Sequence, residues 1–323
     1  MTLLDDWQVG PRNRSAYQHV GEVVPTVRVA CGTAAPLPSR PGLDLPSPPW
    51  LDGLAVLRDG ALVLERYENG MEPATRHLSQ SVAKSVLGLL VTLLEFDLET
   101  PVSELVPEVG ESGYRGATLR HLMDMTAATD FVEDYTNFWR YDAACGWHSP
   151  APGVPGSMLE YLPTIGPGAC PHGERFEYRS PNTDLLGIAT ARAAGAPLNE
   201  LIARELWRTI GAEADAELAV DPAGTPVISG GFCATLRDYA RLGALVLEHS
   251  FSGLGARPIE DPRAVGYGAQ RWRLPGDVLA ARGIHGQLIA VDRARRTVIV
   301  MLSSWPAATD PDAEAAQFAL LSR

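Results

Sequence analysis

The segment that follows Ser79 most constrains the fold of this 323-residue chain, because it is apolar on nearly every side. Ser79 can cap a helix, which we predict from about Ser81 to Phe96. A helix without a polar face is buried, so other elements must surround it. Its most apolar run, Val86 to Leu94, is too short to span a bilayer. We therefore expect this helix at the centre of a large globular fold.

The elements on either side of this helix are predicted in a definite order. Two short apolar runs, Leu54–Arg58 and Ala61–Tyr67, flank Asp59-Gly60 and predict a β-hairpin. Helices follow, and the last part of the chain returns to strands. The later predicted helices cover residues 119–126, 184–194, 198–210, 236–248 and 313–321, and the C-terminal strands cover residues 278–284, 287–291 and 297–303.

Strands from both ends of the chain can pair into one antiparallel sheet. We predict an α/β (α+β) fold, in which helices flank this sheet and a second, mainly helical domain carries the loops around a site. The sheet domain is assigned residues 1–84 and 225–323, and the helical domain residues 85–224. Residues 127–177 are rich in Gly, Pro and aromatic residues, which is typical of loops that line a site.

Composition disfavours several classes of function. The net charge of -12 repels phosphate, so we expect no nucleic-acid partner. The four cysteines are far apart and the seven histidines do not cluster, so we expect free thiols, with a disulfide as the alternative, and no metal site. The first residues have neither the basic start nor the apolar run of a signal peptide, so we expect a cytoplasmic protein without a membrane partner.

Lys84 is the only lysine among the 27 residues of the Lys and Arg types. Arginine does not accept a proton near neutral pH, whereas a lysine with a depressed pKa does. On a helix, Ser81 and Lys84 share a face, and both the helix dipole and burial lower the pKa of an ammonium group there. A neutral Lys84 can take the Ser81 proton, so the spacing predicts Ser81 as a nucleophile.

Two later segments offer partners for this pair. Tyr178 can relay a proton to a leaving group, the alternative being a half-buried structural tyrosine. The segment from Gly283 to Leu288 lies at a predicted strand whose edge can supply a backbone N–H to an oxyanion hole. The sequence contains neither a G-x-S-x-G elbow nor a phosphate-binding G-x-x-x-x-G-K-[ST] loop, which argues against an α/β-hydrolase and against nucleotide hydrolysis.

In the order Ser81-x-x-Lys84, Tyr178, His285-Gly286, these segments resemble the serine β-lactamase and penicillin-binding-protein superfamily. The resemblance is closer to its class C-like esterase branch, of the 6-aminohexanoate-dimer (nylon-oligomer) hydrolase type, and covers most of the chain. It implies a β-lactamase/transpeptidase-like fold with the site between the two domains. By position it implies Ser81 as nucleophile, Lys84 as its base, Tyr178 as general acid/base, and an oxyanion hole formed by the N–H groups of Ser81 and Leu288.

The same resemblance implies a set of substrate contacts. Tyr135 resembles a tyrosine that holds the substrate amide, although packing in a loop is the alternative reading. Ser180 stands where β-lactamases have the asparagine of Tyr-x-Asn, and His285-Gly286-Gln287 replaces Lys-Thr-Gly. The predicted substrate contacts are thus Tyr135, Ser180, His285, Gly286 and Gln287, with an ordinary strand residue as the alternative for His285. These departures remove groups that meet a lactam antibiotic and favour an esterase or amidase.

We therefore predict a cofactor-free serine hydrolase, a carboxylesterase or amidase that cleaves a small-molecule ester or amide through a Ser81 acyl-enzyme. A homodimer is compatible with this prediction. Two alternatives remain open. One is an acyltransferase, in which an amine or alcohol intercepts the acyl-enzyme, and the other is a non-catalytic binding relative that keeps the fold. The sequence does not indicate the identity of the substrate.

Overall fold

The computed structural model describes residues 3–134, 138–249, 257–260 and 264–321. Its strands are β1 (Thr26–Val29), β2 (Leu51–Arg58), β3 (Ala61–Tyr67), β4 (His77–Leu78), β5 (Ala216–Ala219), β6 (Phe232–Ala234), β7 (Gly266–Gly268), β8 (Arg271–Leu274), β9 (Val278–Gly283), β10 (Gln287–Asp292) and β11 (Thr297–Ser303). Its α-helices are α1 (Asn13–Ala16), α2 (Val82–Leu94), α3 (Val102–Leu105), α4 (Leu119–Met123), α5 (Trp139–Ala144), α6 (Met158–Tyr161), α7 (Ser180–Ala194), α8 (Leu198–Leu201), α9 (Leu236–Glu248) and α10 (Pro311–Leu321). A π-helical segment, Ile202–Trp207, continues α8.

The predicted pairing of strands from both ends of the chain is confirmed. Seven strands form an antiparallel sheet in the order β3-β2-β11-β10-β9-β8-β7, so the N-terminal hairpin pairs directly with the last strand. The hairpin turns at Asp59 and Gly60, whose φ angles of 47° and 74° match the turn that a tight hairpin prefers. Together with the helices, this sheet gives the predicted mixture of α and β structure.

Helix α2 lies at the centre of the protein, as its apolar circumference predicts. All its residues from Val82 to Val91 are buried, against β8, β9 and β10 on one side and α7 on another. Gly88 permits the approach to the sheet, because a Cβ atom there would lie 2.4 Å from the carbonyl oxygen of Ala269. The expectation that Ser79 caps this helix is wrong, since its hydroxyl donates to the carbonyl of Gln80.

A second, four-stranded sheet in the order β1-β5-β6-β4 leads the chain into α2. Its strands have only two to four residues, too few for a periodic pattern, so the sequence did not predict them. The backbone N–H of Ser79 donates to the carbonyl of Phe232 at 2.8 Å and extends the β4–β6 pairing to the residue two before Ser81. The start of the central helix is therefore anchored to a sheet.

Helix α7 and the π-helical segment also pack against α2, and α3, α4 and α8 pack in turn against α7. Strand β5 belongs to the smaller sheet although it falls inside the predicted helical domain of residues 85–224, and the domain limits stay a prediction. Across the described ranges, every helix is too short or too polar to cross a membrane.

Candidate active site

Ser81 and Lys84 lie on one face at the start of α2. Ser81 directly precedes the helix and uses its side chain for no capping hydrogen bond. The Nζ atom of Lys84 lies 2.9 Å from the Oγ atom of Ser81 and donates a second hydrogen bond, of 2.7 Å, to the carbonyl of Ser229. The spacing of three residues thus produces the contact that the sequence predicts.

Burial changes the pKa of the Lys84 ammonium group. The residue is 1% exposed, and loss of hydration lowers its pKa to about 8. The negative charges of Glu133 and Asp184 oppose this effect and favour the protonated form. An appreciable fraction of Lys84 is therefore neutral near physiological pH and able to accept the Ser81 proton.

Tyr178 completes the group of predicted catalytic side chains. Its ring lies 5.1 Å from the Nζ atom of Lys84 and stacks on Trp272, with a centroid distance of 5.4 Å and an interplanar angle of 27°. Tyr267 contacts the same ring edge-on at 6.0 Å. The two aromatic neighbours hold the ring of Tyr178 beside the amine of Lys84.

Glu133 is a carboxylate of this site that the sequence did not predict. Its two oxygens accept hydrogen bonds from the backbone N–H of Ser180, at 2.8 Å, and from the Ser180 hydroxyl, at 2.7 Å. The Ser180 hydroxyl, which we predicted as a substrate contact, is thus engaged by Glu133. Burial raises the pKa of Glu133, whereas Lys84 lowers it. No periodic pattern surrounds Glu133 in its loop, so the sequence carried no signal for it.

A cleft with two lobes opens at Ser81, and the lobes share Ser81, Glu133, Ile284 and Ala308. The larger, which we call the acidic lobe, has a volume of about 430 Å³ and carries the carboxylates of Asp5, Glu133 and Asp142. The smaller, the aromatic lobe, has a volume of about 300 Å³. It is lined by Phe176, Tyr178, Trp272, Arg282, Trp305 and Glu314 among others. A bond at Ser81 can therefore extend one arm into each lobe.

The acidic lobe suits a cationic group. No arginine or lysine of the described residues lines it, whereas three carboxylates do. Within residues 3–134, 138–249, 257–260 and 264–321, no donor reaches the carboxylate of Asp142, and burial together with the charge of Glu133 raises its pKa to about 8. A ligand ammonium would relieve both effects, since it supplies a donor and a positive charge.

One wall of the acidic lobe is formed by residues between Leu4 and Val9, a role that the sequence did not predict. Trp7 is 1% exposed, packs edge-on against Trp147 at 5.3 Å and donates its indole N–H to the Trp147 carbonyl at 3.0 Å. Asp5 accepts a hydrogen bond from the backbone N–H of Ser149 at 3.2 Å. These contacts hold the N-terminal segment against the loops of the cleft.

The prediction that Leu288 supplies an oxyanion-hole N–H is wrong. Leu288 lies in the interior strand β10, paired with Arg282 on one side and Met301 on the other, and its side chain belongs to a core away from the cleft. The end of β9 lies closer to the nucleophile, because a Cβ atom on Gly283 would be 3.0 Å from the backbone nitrogen of Ser81. In the described structure, β8 pairs with β9 only as far as Ala280. The last residues of β9 therefore have no strand beside them on that side, and Gly283 lies against the start of α2.

The predicted substrate contacts after β9 differ in their surroundings. His285 lines the acidic lobe and donates its Nδ1–H to the carbonyl of Trp305 at 2.7 Å, while burial lowers its pKa to about 4. Gln287 lines the aromatic lobe, but its amide binds the backbone of Ser303 and His285. Gly286 packs against the Trp305 ring, where a Cβ atom would lie 2.4 Å away, and it is not among the residues that line either lobe, so its contact with a substrate stays a prediction.

Tyr135, the remaining predicted substrate contact, lies outside the described residues. Among the residues that are described, no group of three or more His, Cys, Asp or Glu side chains is arranged to hold a metal ion. All four cysteines are described, and each is a free thiol.

Comparisons with known proteins give a matching family model and a similar sequence. Residues 51–322 match the family model described as Beta-lactamase. The 6-aminohexanoate-dimer hydrolase of Paenarthrobacter ureafaciens is 32% identical to the chain, over 96% of this chain and 89% of that protein.

Solved structures extend the likeness to the fold. A Bacillus anthracis structure assigned the same hydrolase name superimposes with a TM-score of 0.86 at 23% identity, over 99% of this chain and 96% of the other. A hydrolase with promiscuous acyltransferase activity gives a TM-score of 0.65 at 15% identity, over 83% and 92% of the two chains. At these identities the structural likenesses concern the fold alone.

Proposed function

Because the chain belongs to the beta-lactamase family, we propose that this serine hydrolase of ester or amide bonds acts through an acyl-enzyme on Ser81. One observation carries the proposal: the only lysine of the chain is buried, has a pKa of about 8, and lies 2.9 Å from the Ser81 hydroxyl. A structural role alone would not require a lysine at this position, since burying an ammonium group is costly.

The proposed reaction begins with Lys84 as general base. Neutral Lys84 takes the proton of the Ser81 hydroxyl while Oγ bonds to the substrate carbonyl carbon. The backbone N–H of Ser81 and, in place of the Leu288 group, that of Ile284 stabilise the oxyanion. The position of Ile284 in both lobes and the closeness of Gly283 to Ser81 support this second donor.

Tyr178 is proposed to protonate the leaving group. Its ring contacts the amine that has just received the serine proton, so the proton can pass from Lys84 through the phenol to the departing nitrogen or oxygen. The leaving group departs, and water then attacks the acyl-enzyme in a second step with the same groups. Hydrolysis restores the Ser81 hydroxyl and the neutral amine.

The proposed substrate is an amide or ester whose acyl arm ends in an ammonium group. The acidic lobe supports this choice, because Asp142 accepts no hydrogen bond from a described donor and the described lining holds no arginine or lysine beside its three carboxylates. His148 lies 3.6 Å from one of these carboxylates, Asp5, and leaves Glu133 and Asp142 for a ligand cation. The name of the Paenarthrobacter relative points to the same chemistry, since a dimer of 6-aminohexanoate has an amine at one end and an amide in its middle.

We also propose that the protein is located in the cytoplasm. A homodimer stays a prediction. The four free cysteines support a reducing compartment. Light scattering on the purified protein measures its mass directly and distinguishes a monomer from a dimer.

A panel of linear amides and esters tests the proposed function. Each acyl chain is offered with a terminal amine and with the same amine acetylated, and turnover is followed by chromatography of the products. We expect Ser81-dependent hydrolysis that prefers the free amine. Equal turnover by wild-type and Ser81→Ala protein would contradict the nucleophile, and acyl products formed only on an added alcohol or amine would indicate acyl transfer.

A further inference from the structure

Asp184 is a fully buried carboxylate on α7 that the proposed reaction does not use. It is 0% exposed, and burial raises its pKa to about 6. One of its oxygens accepts the backbone N–H of Ser229 at 2.8 Å, and the other accepts the hydroxyl of Tyr141 at 2.7 Å. Burying such a group is costly, so its contacts merit an explanation.

The contact with Ser229 leads directly to the catalytic base. The carbonyl of Ser229 accepts a hydrogen bond from the Nζ atom of Lys84 at 2.7 Å. Ser229 is followed by Gly230 and Gly231, whose backbones have a large conformational freedom. Backbone hydrogen bonds hold Gly231, whose N–H donates to the carbonyl of Val227 at 2.7 Å and whose carbonyl accepts from Ala219 at 2.9 Å. The hydrogen bond from the Ser229 N–H to Asp184 adds a fixed point at the residue that carries the carbonyl for Lys84.

We propose that Asp184 is a positioning residue, which holds the Ser229 carbonyl so that the lone pair of neutral Lys84 points at the Ser81 hydroxyl. The inference rests on the proposed function. A neutral amine has two N–H donors and one lone pair, so an acceptor for one N–H restricts the direction of the lone pair. After proton transfer the ammonium group keeps this hydrogen bond and holds the proton until Tyr178 receives it.

Tyr141 connects the same carboxylate to the wall of the cleft. It lies on α5 beside Asp142 and lines the acidic lobe. Asp184 thus joins three segments, α5, α7 and the Ser229 loop, in which the loop holds the base. A misplacement of about 1 Å in such a support can cost roughly 10²-fold in rate.

Removing the negative charge of Asp184 should change the pKa of Lys84, an effect that a change in packing alone would not produce. The groups whose charges act on Lys84 are Glu133, Asp184 and Cys145, and the Tyr178 ring faces its amine. The negative charge of Asp184 favours the protonated amine. Its removal lowers the pKa of Lys84 further, and the acidic limb of the pH–rate profile moves to lower pH.

Two variants of Asp184 distinguish the effect of its hydrogen bond to Ser229 from the effect of its negative charge. In Asp184→Asn the amide oxygen still accepts the Ser229 N–H, whereas Asp184→Ala loses the acceptor. Asp221→Asn is a matched control, because Asp221 is 1% exposed and accepts the backbone N–H groups of Met158, Ala223 and Thr225 at 2.7 to 2.9 Å without lining the cleft. Thermal unfolding of every variant measures the loss of stability separately.

The experiment compares kcat, KM and the pH profile of kcat/KM on the best substrate of the panel. We expect Asp184→Ala to lose roughly 10²-fold in kcat with little change in KM. Asp184→Asn should recover most of that rate, and the acidic limb of its kcat/KM profile should lie at lower pH than in the wild type. Asp221→Asn should have the same acidic limb as the wild type. If Asp184→Ala does not fold, Asp184→Leu, which also lacks the acceptor but fills a similar volume, replaces it in the comparison of kcat.

Wild-type kcat in Asp184→Ala would overturn the inference, wherever the acidic limb of its pH profile lies. So would equal losses in both variants with an unshifted limb, because that result describes a structural role. A wild-type protein without Ser81-dependent turnover would instead overturn the proposed function, so the two failures are distinguishable.

Discussion

The Nζ atom of Lys84 lies 2.9 Å from the Oγ atom of Ser81, inside a protein that contains no other lysine. The two side chains share a face of α2 because three residues separate them along the helix. Burial lowers the pKa of the amine to about 8, so the pair is prepared to exchange one proton.

The pH dependence of the reaction reports the base. Burial lowers the pKa of Lys84 below its usual value, and only the neutral amine accepts the serine proton. We expect kcat/KM to rise with pH and to reach half its plateau near the pKa of about 8. Rates measured from pH 6 to 10 with a neutral ester check this, and Lys84→Arg, which stays protonated, should remove the activity. A flat profile would argue against Lys84 as base.

Tyr178→Phe tests the proton relay. The phenylalanine keeps the stacking on Trp272 but removes the hydroxyl, so we expect nearly unchanged stability and a fall in kcat of roughly 10²-fold. The fall should be larger for an amide than for a p-nitrophenyl ester, whose leaving group needs no proton. Steady-state kinetics on both substrates measure this difference. Equal losses on the two would point away from leaving-group protonation.

Gly283→Ala tests the approach of β9 to the nucleophile. The new Cβ atom would lie 2.8 Å from the carbonyl oxygen of Ser79 and 3.0 Å from the backbone nitrogen of Ser81, so the backbone must move. We expect kcat/KM to fall by roughly 10²-fold, because the nucleophile and the oxyanion donors shift relative to each other. Gly42→Ala is the control, since nothing lies within 4 Å of a Cβ atom there. Similar kinetics for the two variants would exclude this close approach.

Asp142→Asn tests the cationic specificity of the acidic lobe. The variant keeps the size of the side chain but loses the charge, so we expect KM for an amine-ended substrate to rise roughly tenfold. The acetylated analogue should not respond. Because the pKa of Asp142 is raised to about 8, binding of an ammonium group should release a proton at pH 7, which calorimetry in two buffers measures. A parallel rise for both substrates would contradict charge recognition.

Local patterns were sufficient to predict much of the fold. The apolar circumference of α2, the Asp59-Gly60 turn and the three C-terminal strands each extend over enough residues to show their period. The Ser81–Lys84 contact was predictable because it depends only on helical spacing. The short strands of the second sheet were not, since two to four residues carry no period.

The carboxylate residues of the site could not be predicted from the sequence. Glu133 comes from a loop, Asp142 from the short helix α5 and Asp5 from the N-terminal segment, so only tertiary packing brings them to Ser81. Asp184 is one of several polar residues on α7, and nothing in its local pattern shows that it faces Ser229. The Leu288 error has a similar origin, because the residue that approaches α2 depends on the turn between β9 and β10, in which His285 has a positive φ of 59°.

Mass spectrometry of the intact protein tests the acyl-enzyme most directly. Wild-type protein is mixed with a slowly hydrolysed p-nitrophenyl ester, quenched in acid within the first turnover and digested for peptide mapping. We expect one added acyl group on the peptide that contains Ser81, and none in Ser81→Ala. A wild-type protein that turns over the ester but never carries the acyl group on Ser81 would contradict the proposed mechanism.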